Sequence, residues 1–114
     1  MKLGQDDARK NLTCWNRDTQ AQCLRVELAD GGLYIFPYNH VACVRFEPGN
    51  GIDTLCVGAD THEIQITGTN LREVALAFQK LAVEWVKALP ARHGALSGDD
   101  DARINSITVK EIQP

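Results

Sequence analysis

The sequence predicts an α+β domain: an antiparallel β-meander of five to six strands with one long helix packed on one face. Two patterns carry this prediction. Apolar and polar residues alternate through much of residues 22–67, and apolar residues then recur at spacings of three and four from Leu71 to Leu89. A strand that is buried on one side produces the first pattern, and a helix that packs by one stripe produces the second.

Length and charge set the class of protein. The 114 residues are 44% hydrophobic and 24% charged, which is typical of one globular domain. We expect a polar N-terminal arm at residues 1–20 and a single domain at residues 21–114. The formal net charge is -3 and the basic residues are scattered, which argues against nucleic-acid binding. Without an apolar leader or a long apolar run, no membrane association is expected and a cytoplasmic location is predicted.

The first predicted hairpin joins residues 22–28 to residues 33–36. Leu24, Val26 and Leu28 share one face, and Asp30-Gly31-Gly32 supplies a tight turn. Pro37 lacks an amide donor and should end the second strand, so a third strand is expected from about His40 to Phe46.

A second hairpin is predicted from Thr54–Val57 and His62–Thr67. With Ala59 and Asp60 as the central loop residues, Leu55 would lie opposite Ile64 and Val57 opposite His62.

Gly68 is expected to break the sheet before the helix, which is predicted at about residues 70–89. Asn70, with Glu73 three residues later, has the form of an N-cap, and Pro90 ends the pattern. The glycine corner at residues 68–70 could also hold an anion, although a capped strand-to-helix corner is the simpler interpretation. A polar connector follows at about residues 90–103. The β-branched segment at about residues 104–112 predicts a last strand, which could close the sheet or pair with another copy of the chain.

Side chains of the kind that bind metals are few. Cys14, Cys23, Cys43 and Cys56 form no CxxC pair, and we expect reduced thiols. His40 and Cys43 are an odd number of positions apart in one predicted strand and should point to opposite faces, whereas zinc needs convergent ligands. We therefore predict no metal site and no cofactor.

Catalytic signatures are likewise missing from the sequence. No nucleophile elbow or paired-carboxylate pattern accompanies the histidines, so we predict no catalytic residue and do not expect an enzyme. Tyr38, His40 and His62 are the candidate ligand-binding residues. The two histidines lie near predicted strand ends, and Tyr38 belongs with Tyr34 and Phe36 to an aromatic group beside the first hairpin, which could form a binding patch or fill the rim of the core.

Two segments also carry a resemblance. Leu33 to Tyr38 (LYIFPY) and Thr61 to Leu71 (THEIQITGTNL), with the helix through Trp85, resemble small bacterial proteins of uncharacterised function. The order of a meander followed by one helix is similar to pleckstrin-homology-like domains, from which the extra terminal strand departs. Neither resemblance implies an activity or a functional residue.

The expected function is a non-enzymatic binding or assembly module that acts as a homodimer or with another protein. A meander leaves exposed strand edges, and the terminal strand follows a connector suited to edge pairing. The alternative is a small-ligand-binding protein or minor enzyme with a pocket near Tyr38, His40 and His62. RNA binding through Arg25 and Arg45 is a third possibility, which the acidic balance disfavours.

Overall fold

The computed structural model describes residues 13–89 and 102–112, which contain eight β-strands and one α-helix. The elements in chain order are β1 (Trp15–Arg17), β2 (Cys23–Glu27), β3 (Leu33–Pro37), a 3-10 turn (Tyr38–His40), β4 (Val41–Glu47), β5 (Asp53–Ala59), β6 (His62–Thr69), α1 (Arg72–Gln79), β7 (Val83–Lys87) and β8 (Arg103–Glu111). An α+β fold built mostly from antiparallel strands is thus confirmed. The predicted count of five to six strands is wrong.

The strands form two four-stranded sheets. The first sheet has the order β1-β7-β2-β3 and the second sheet has the order β4-β5-β6-β8. Every neighbouring pair is antiparallel except β2 and β7, which run parallel. One hydrophobic core contains side chains from both sheets and from α1. The two sheets therefore cover a common core, and the helix covers a part of it.

Alternation in the strands matches the buried face. Leu24 and Val26 in β2, and Leu55 and Val57 in β5, are fully buried, as the period of two predicts. The register of the second hairpin differs from the prediction, because Leu55 lies opposite Ile66 and Val57 lies opposite Ile64. β5 continues to Ala59, so the loop lies at residues 60–61 and the pairing shifts by two residues without changing the face.

The long helix at residues 70–89 is the main error of the prediction. α1 ends at Gln79, and Val83–Lys87 forms a central strand of the first sheet instead. The Leu81 amide bonds the Phe78 carbonyl at 2.9 Å and the Ala82 amide bonds the Ala77 carbonyl at 3.0 Å. With Leu81 at φ 54°, these bonds form a Schellman motif that terminates the helix.

The start of the helix also differs from the predicted cap. The N-cap residue is Leu71, whose side chain makes no capping hydrogen bond. The Asp53 carboxylate instead accepts a hydrogen bond from the Leu71 amide at 3.2 Å. Gly68 lies within β6 rather than after it. A β-carbon at Gly68 would clash with the Arg103 carbonyl oxygen, so glycine is required where β8 runs close to β6.

The ends of the chain are partly described. Residues 1–12 of the predicted arm lie outside the described residues, and β1 follows them with Trp15 packed against the core. Residues 90–101 of the predicted connector also lie outside. β8 pairs antiparallel with β6 of the same chain. Within residues 13–89 and 102–112, no helix has the length and hydropathy needed to span a membrane.

Candidate functional site

Tyr38 lies inside the molecule at the turn between β3 and β4. Its hydroxyl donates a hydrogen bond to the Val83 carbonyl oxygen at 2.5 Å, and its ring meets the Phe78 ring edge-on with centroids 6.5 Å apart. Burial raises the pKa of the Tyr38 phenol to about 12. The side chain thereby joins the first sheet to α1, and its polar atom already has a partner.

His40 lies on the surface at the end of the same turn. Its Nδ1 atom is 3.8 Å from an Asp60 carboxylate oxygen, and its carbonyl oxygen accepts a hydrogen bond from the Asp60 amide at 2.9 Å. Both side chains are more than half exposed. An exposed pair of this kind contributes little to stability, so the backbone bond is the contact that ties the turn to the loop between β5 and β6.

His62 belongs to an aromatic cluster that it forms with side chains of β3. Its ring meets the Tyr34 and Phe36 rings edge-on, with centroids 5.6 Å away in each case, and those two rings stack on each other at 5.9 Å. The Thr61 hydroxyl lies 2.7 Å from His62 Nδ1. Because His62 comes from β6 and the two rings come from β3, the cluster bridges the two sheets.

These contacts lead the three predicted ligand-binding residues to different partners. In the described part of the chain, each contact of Tyr38, His40 and His62 given above runs to another residue rather than within the trio. No group of three or more His, Cys, Asp or Glu side chains that could hold a metal ion occurs among the described residues.

Large apolar side chains instead collect on the outer face of the first sheet. Leu33 and Ile35 of β3 are 54% and 59% exposed. In the sheet register, Ile35 lies beside Arg25, which in turn lies beside Trp85. The Arg25 guanidinium is 5.7 Å from the centre of the Trp85 ring and bonds the Glu27 carboxylate at 3.0 Å. We call Arg25, Leu33, Ile35 and Trp85 the outer-face cluster.

A second apolar feature is a groove of about 500 Å³ between α1 and β4, which we call the edge groove. Its lining is mostly apolar and comes from three segments: Val41, Ala42, Cys43, Val44 and Phe46 of β4, Arg72, Ala75, Leu76, Phe78 and Gln79 of α1, and Leu81 of the following turn. Arg72 supplies the positive charge in this lining. Leu76 and Leu81 are each 51% exposed.

Neither surface was predicted from the sequence. The predicted long helix placed Leu81 and Trp85 on the apolar stripe that would pack against the sheet. Both residues were therefore expected to be buried, and neither the edge groove nor the outer-face cluster could be recognised. One signal was present, because Leu76 lies off the apolar stripe of the helix and a large apolar residue on the solvated side can mark a contact surface.

Comparison with known proteins identifies no relative for this chain. No protein-family model, curated protein or solved structure matches it with significant similarity.

Proposed function

We propose that the protein is a non-enzymatic assembly module of the cytoplasm that forms a homodimer through the outer-face cluster. One observation carries this proposal: Leu33 and Ile35 are both more than half exposed beside the Trp85–Arg25 stack. The four cysteines are thiols rather than disulfides in the described part of the chain, which fits the proposed reducing compartment. If the first sheet contacts another protein instead of a second copy, the same surface is expected to mediate that contact.

The composition of the cluster supports a protein contact. Aromatic residues and arginine are enriched in interfaces, and residues of these types dominate binding energy when they are desolvated. Arg25 is held in place by the Trp85 ring and by the Glu27 carboxylate, so little side-chain entropy would be lost on association.

Charge also suits a two-fold contact. Glu27 and Lys87 are register neighbours on β2 and β7, next to the apolar part of the face. Because a two-fold axis brings the same patch of both subunits together, a patch with both signs of charge can be complementary to itself. Neighbouring Glu27 and Lys87 could therefore pair across such an interface.

The test compares substitutions of exposed apolar residues inside and outside the outer-face cluster. We expect the wild type to sediment as a dimer and the double variant Leu33→Ser/Ile35→Ser to sediment as a monomer. Ile52→Ser is the matched control, because Ile52 is 52% exposed but lies in the turn before β5. Analytical ultracentrifugation over a concentration series measures the result. A wild type that stays monomeric at high concentration would contradict the proposed self-association.

The alternative function, a small-ligand-binding protein or minor enzyme acting at Tyr38, His40 and His62, has less support. The Tyr38 hydroxyl is bonded to the Val83 carbonyl, and the His62 ring packs edge-on against two aromatic side chains. His40→Ala is its simplest test, since the side chain is exposed and the fold should be unaffected. A changed thermal shift with a ligand that stabilises the wild type would favour this alternative.

A further inference from the structure

The strand that borders the edge groove has one open side. β4 is the end strand of the second sheet, and its ladder pairing in the described part of the chain is with β5. The backbone amides and carbonyls along the other side of an end strand can pair with an added strand. Residues Cys43–Glu47 follow the bulge at Ala42 and run in regular register with β5, so this part of β4 is suited to further pairing.

The inner face of β4 is also incompletely covered. Val44 and Phe46 are only partly buried, although their register partners Val57 and Leu55 in β5 are fully buried. Across the groove, Leu76 of α1 is half exposed. A strand added to β4 would point every second side chain into this gap, where it would contact both β4 and α1. The gap therefore fits a segment that is extended and apolar at alternate positions.

The charge of the groove lining favours a segment that carries a carboxylate. Arg72 lines the groove, no described residue forms an ion pair with its guanidinium, and the described lining contains no acidic side chain. A carboxylate on the occupant could bond Arg72 in the bidentate geometry that guanidinium groups favour. A volume of about 500 Å³ lies within the range of ligand sites, roughly 300–1,000 Å³, and admits a few side chains rather than a folded domain.

We propose that the edge groove binds an extended peptide segment of a partner protein, which adds to β4 as a further strand of the second sheet. Its alternate apolar side chains enter the groove and its carboxylate pairs with Arg72. Strand addition beside a pocket is a known mode of peptide recognition, in which backbone bonds give affinity and pockets give specificity. The outer-face cluster lies on the other sheet, so this site is separate from the proposed dimer contact.

The test uses peptides selected against the full chain. A displayed library of random heptapeptides is selected on the folded protein, and the selected peptides are synthesised with free and with amidated C-termini. We expect apolar residues at alternate positions together with a carboxylate. If amidation abolishes binding, the carboxylate is the C-terminus, and if amidation has no effect, it is an acidic side chain.

Two variants locate the binding site. Leu76→Lys should abolish peptide binding, and Arg72→Glu should weaken acidic peptides at least about tenfold and favour their lysine-substituted versions. Ile112→Lys is the control, because Ile112 is similarly exposed but follows β8. Circular dichroism verifies the fold of each variant. Amide NMR shifts on peptide addition should concentrate at residues 43–47.

Three results would overturn the proposal: a selection without binders, binding that Leu76→Lys leaves intact, or binding without shifts in the β4 amides. The Leu33→Ser/Ile35→Ser variant separates this site from the proposed function. It should lose the dimer and retain peptide affinity, so the failure of one proposal can be recognised without the other.

Discussion

The two sheets share an inner core but differ on their outer faces. The outer face of the first sheet displays Leu33, Ile35 and Trp85, whereas one row across the second sheet consists of Arg45, Cys56, Gln65 and Thr108. Polar outer residues are what an antiparallel sheet facing water normally carries. Within the described strands, the exposed large apolar side chains are Leu33 and Ile35, and both belong to the sheet that we propose as the contact face.

The sheets also differ in how they are assembled. In the second sheet, β4, β5 and β6 are consecutive in the chain, while the first sheet joins strands from residues 15 to 87 and contains the parallel pair β2 and β7. Parallel neighbours cannot be joined by a tight hairpin. The position of β7, which carries Trp85, therefore depends on contacts between residues that are distant in sequence.

The largest expected effect comes from Trp85. Trp85→Ala removes a ring that stacks on Arg25 and partly covers the first sheet, and we expect a loss of about 2 to 3 kcal/mol in the free energy of unfolding. Gln65→Ala, an outer-face change on the second sheet, should stay within about 0.5 kcal/mol. Urea titration of both variants measures the difference. Equal effects would remove the contrast between the two outer faces.

The next effect tests the anchor of β7. Tyr38→Phe removes the hydroxyl that bonds the Val83 carbonyl and leaves that buried acceptor without this partner. We expect a loss of about 1 to 2 kcal/mol at neutral pH, measured by chemical denaturation. Tyr34→Phe is the control, because Tyr34 contacts Phe36 and His62 through its ring, which phenylalanine retains.

The same tyrosine predicts a dependence on alkaline pH. The pKa of Tyr38 is raised to about 12 in the folded state, compared with roughly 10 in an unfolded chain. The folded state therefore holds this proton more tightly, and its stabilising contribution is complete below about pH 10 and is lost as the pH rises to about 12. Across that window the wild type should lose about 1 to 2 kcal/mol more than Tyr38→Phe. Parallel curves would show that the phenol does not couple to folding.

Asp53 tests how the second sheet holds α1. Its carboxylate accepts bonds from the Leu71 amide at 3.2 Å and from the Gly49 amide at 3.3 Å, so it joins the helix start to the turn before β5. Asp53→Ala should cost about 1 kcal/mol, the usual value of a helix cap, and Asp53→Asn should cost less because one acceptor remains. Thermal melts rank the three proteins. Asp60→Ala, at an exposed site, should leave the melting temperature unchanged.

The features of the fold that could be predicted from the sequence are those that depend on residues close together in the chain. Alternation placed Leu24, Val26 and Ile64 on the buried face, because the period of two is a local property of a strand. The partners of β7 and the cap at Asp53 involve residues that are distant along the chain, and no spacing encodes them. The edge groove is the gap between α1 and β4. Its existence depends on how these two elements pack in space, which the spacing of apolar residues along the chain does not predict.

Residues 71–89 show where periodicity misleads. Leu81, Ala82 and Trp85 fit helical spacing, yet in the structure the helix has ended by Gln79 and Trp85 lies on the outer face of a strand. Helix ends are recognised in sequence by glycine or asparagine at the residue that adopts positive φ. Here that residue is Leu81 with φ 54°, so the usual signal was missing while the β-branched residues Val83 and Val86 favoured a strand.

The smallest expected effect comes from placing glycine, the usual residue at a helix end, at position 81. Leu81→Gly should raise the free energy of unfolding by about 0.5 to 1 kcal/mol, because glycine adopts positive φ without the steric cost of a β-carbon. Leu76→Gly is a matched control with the same 51% exposure but a position inside α1, where glycine should cost about 1 kcal/mol. Opposite signs in urea titrations would establish that α1 ends at this turn. If both variants lost stability equally, Leu81 would behave as a helical residue, and the division between α1 and β7 that creates the edge groove and exposes Trp85 would be wrong.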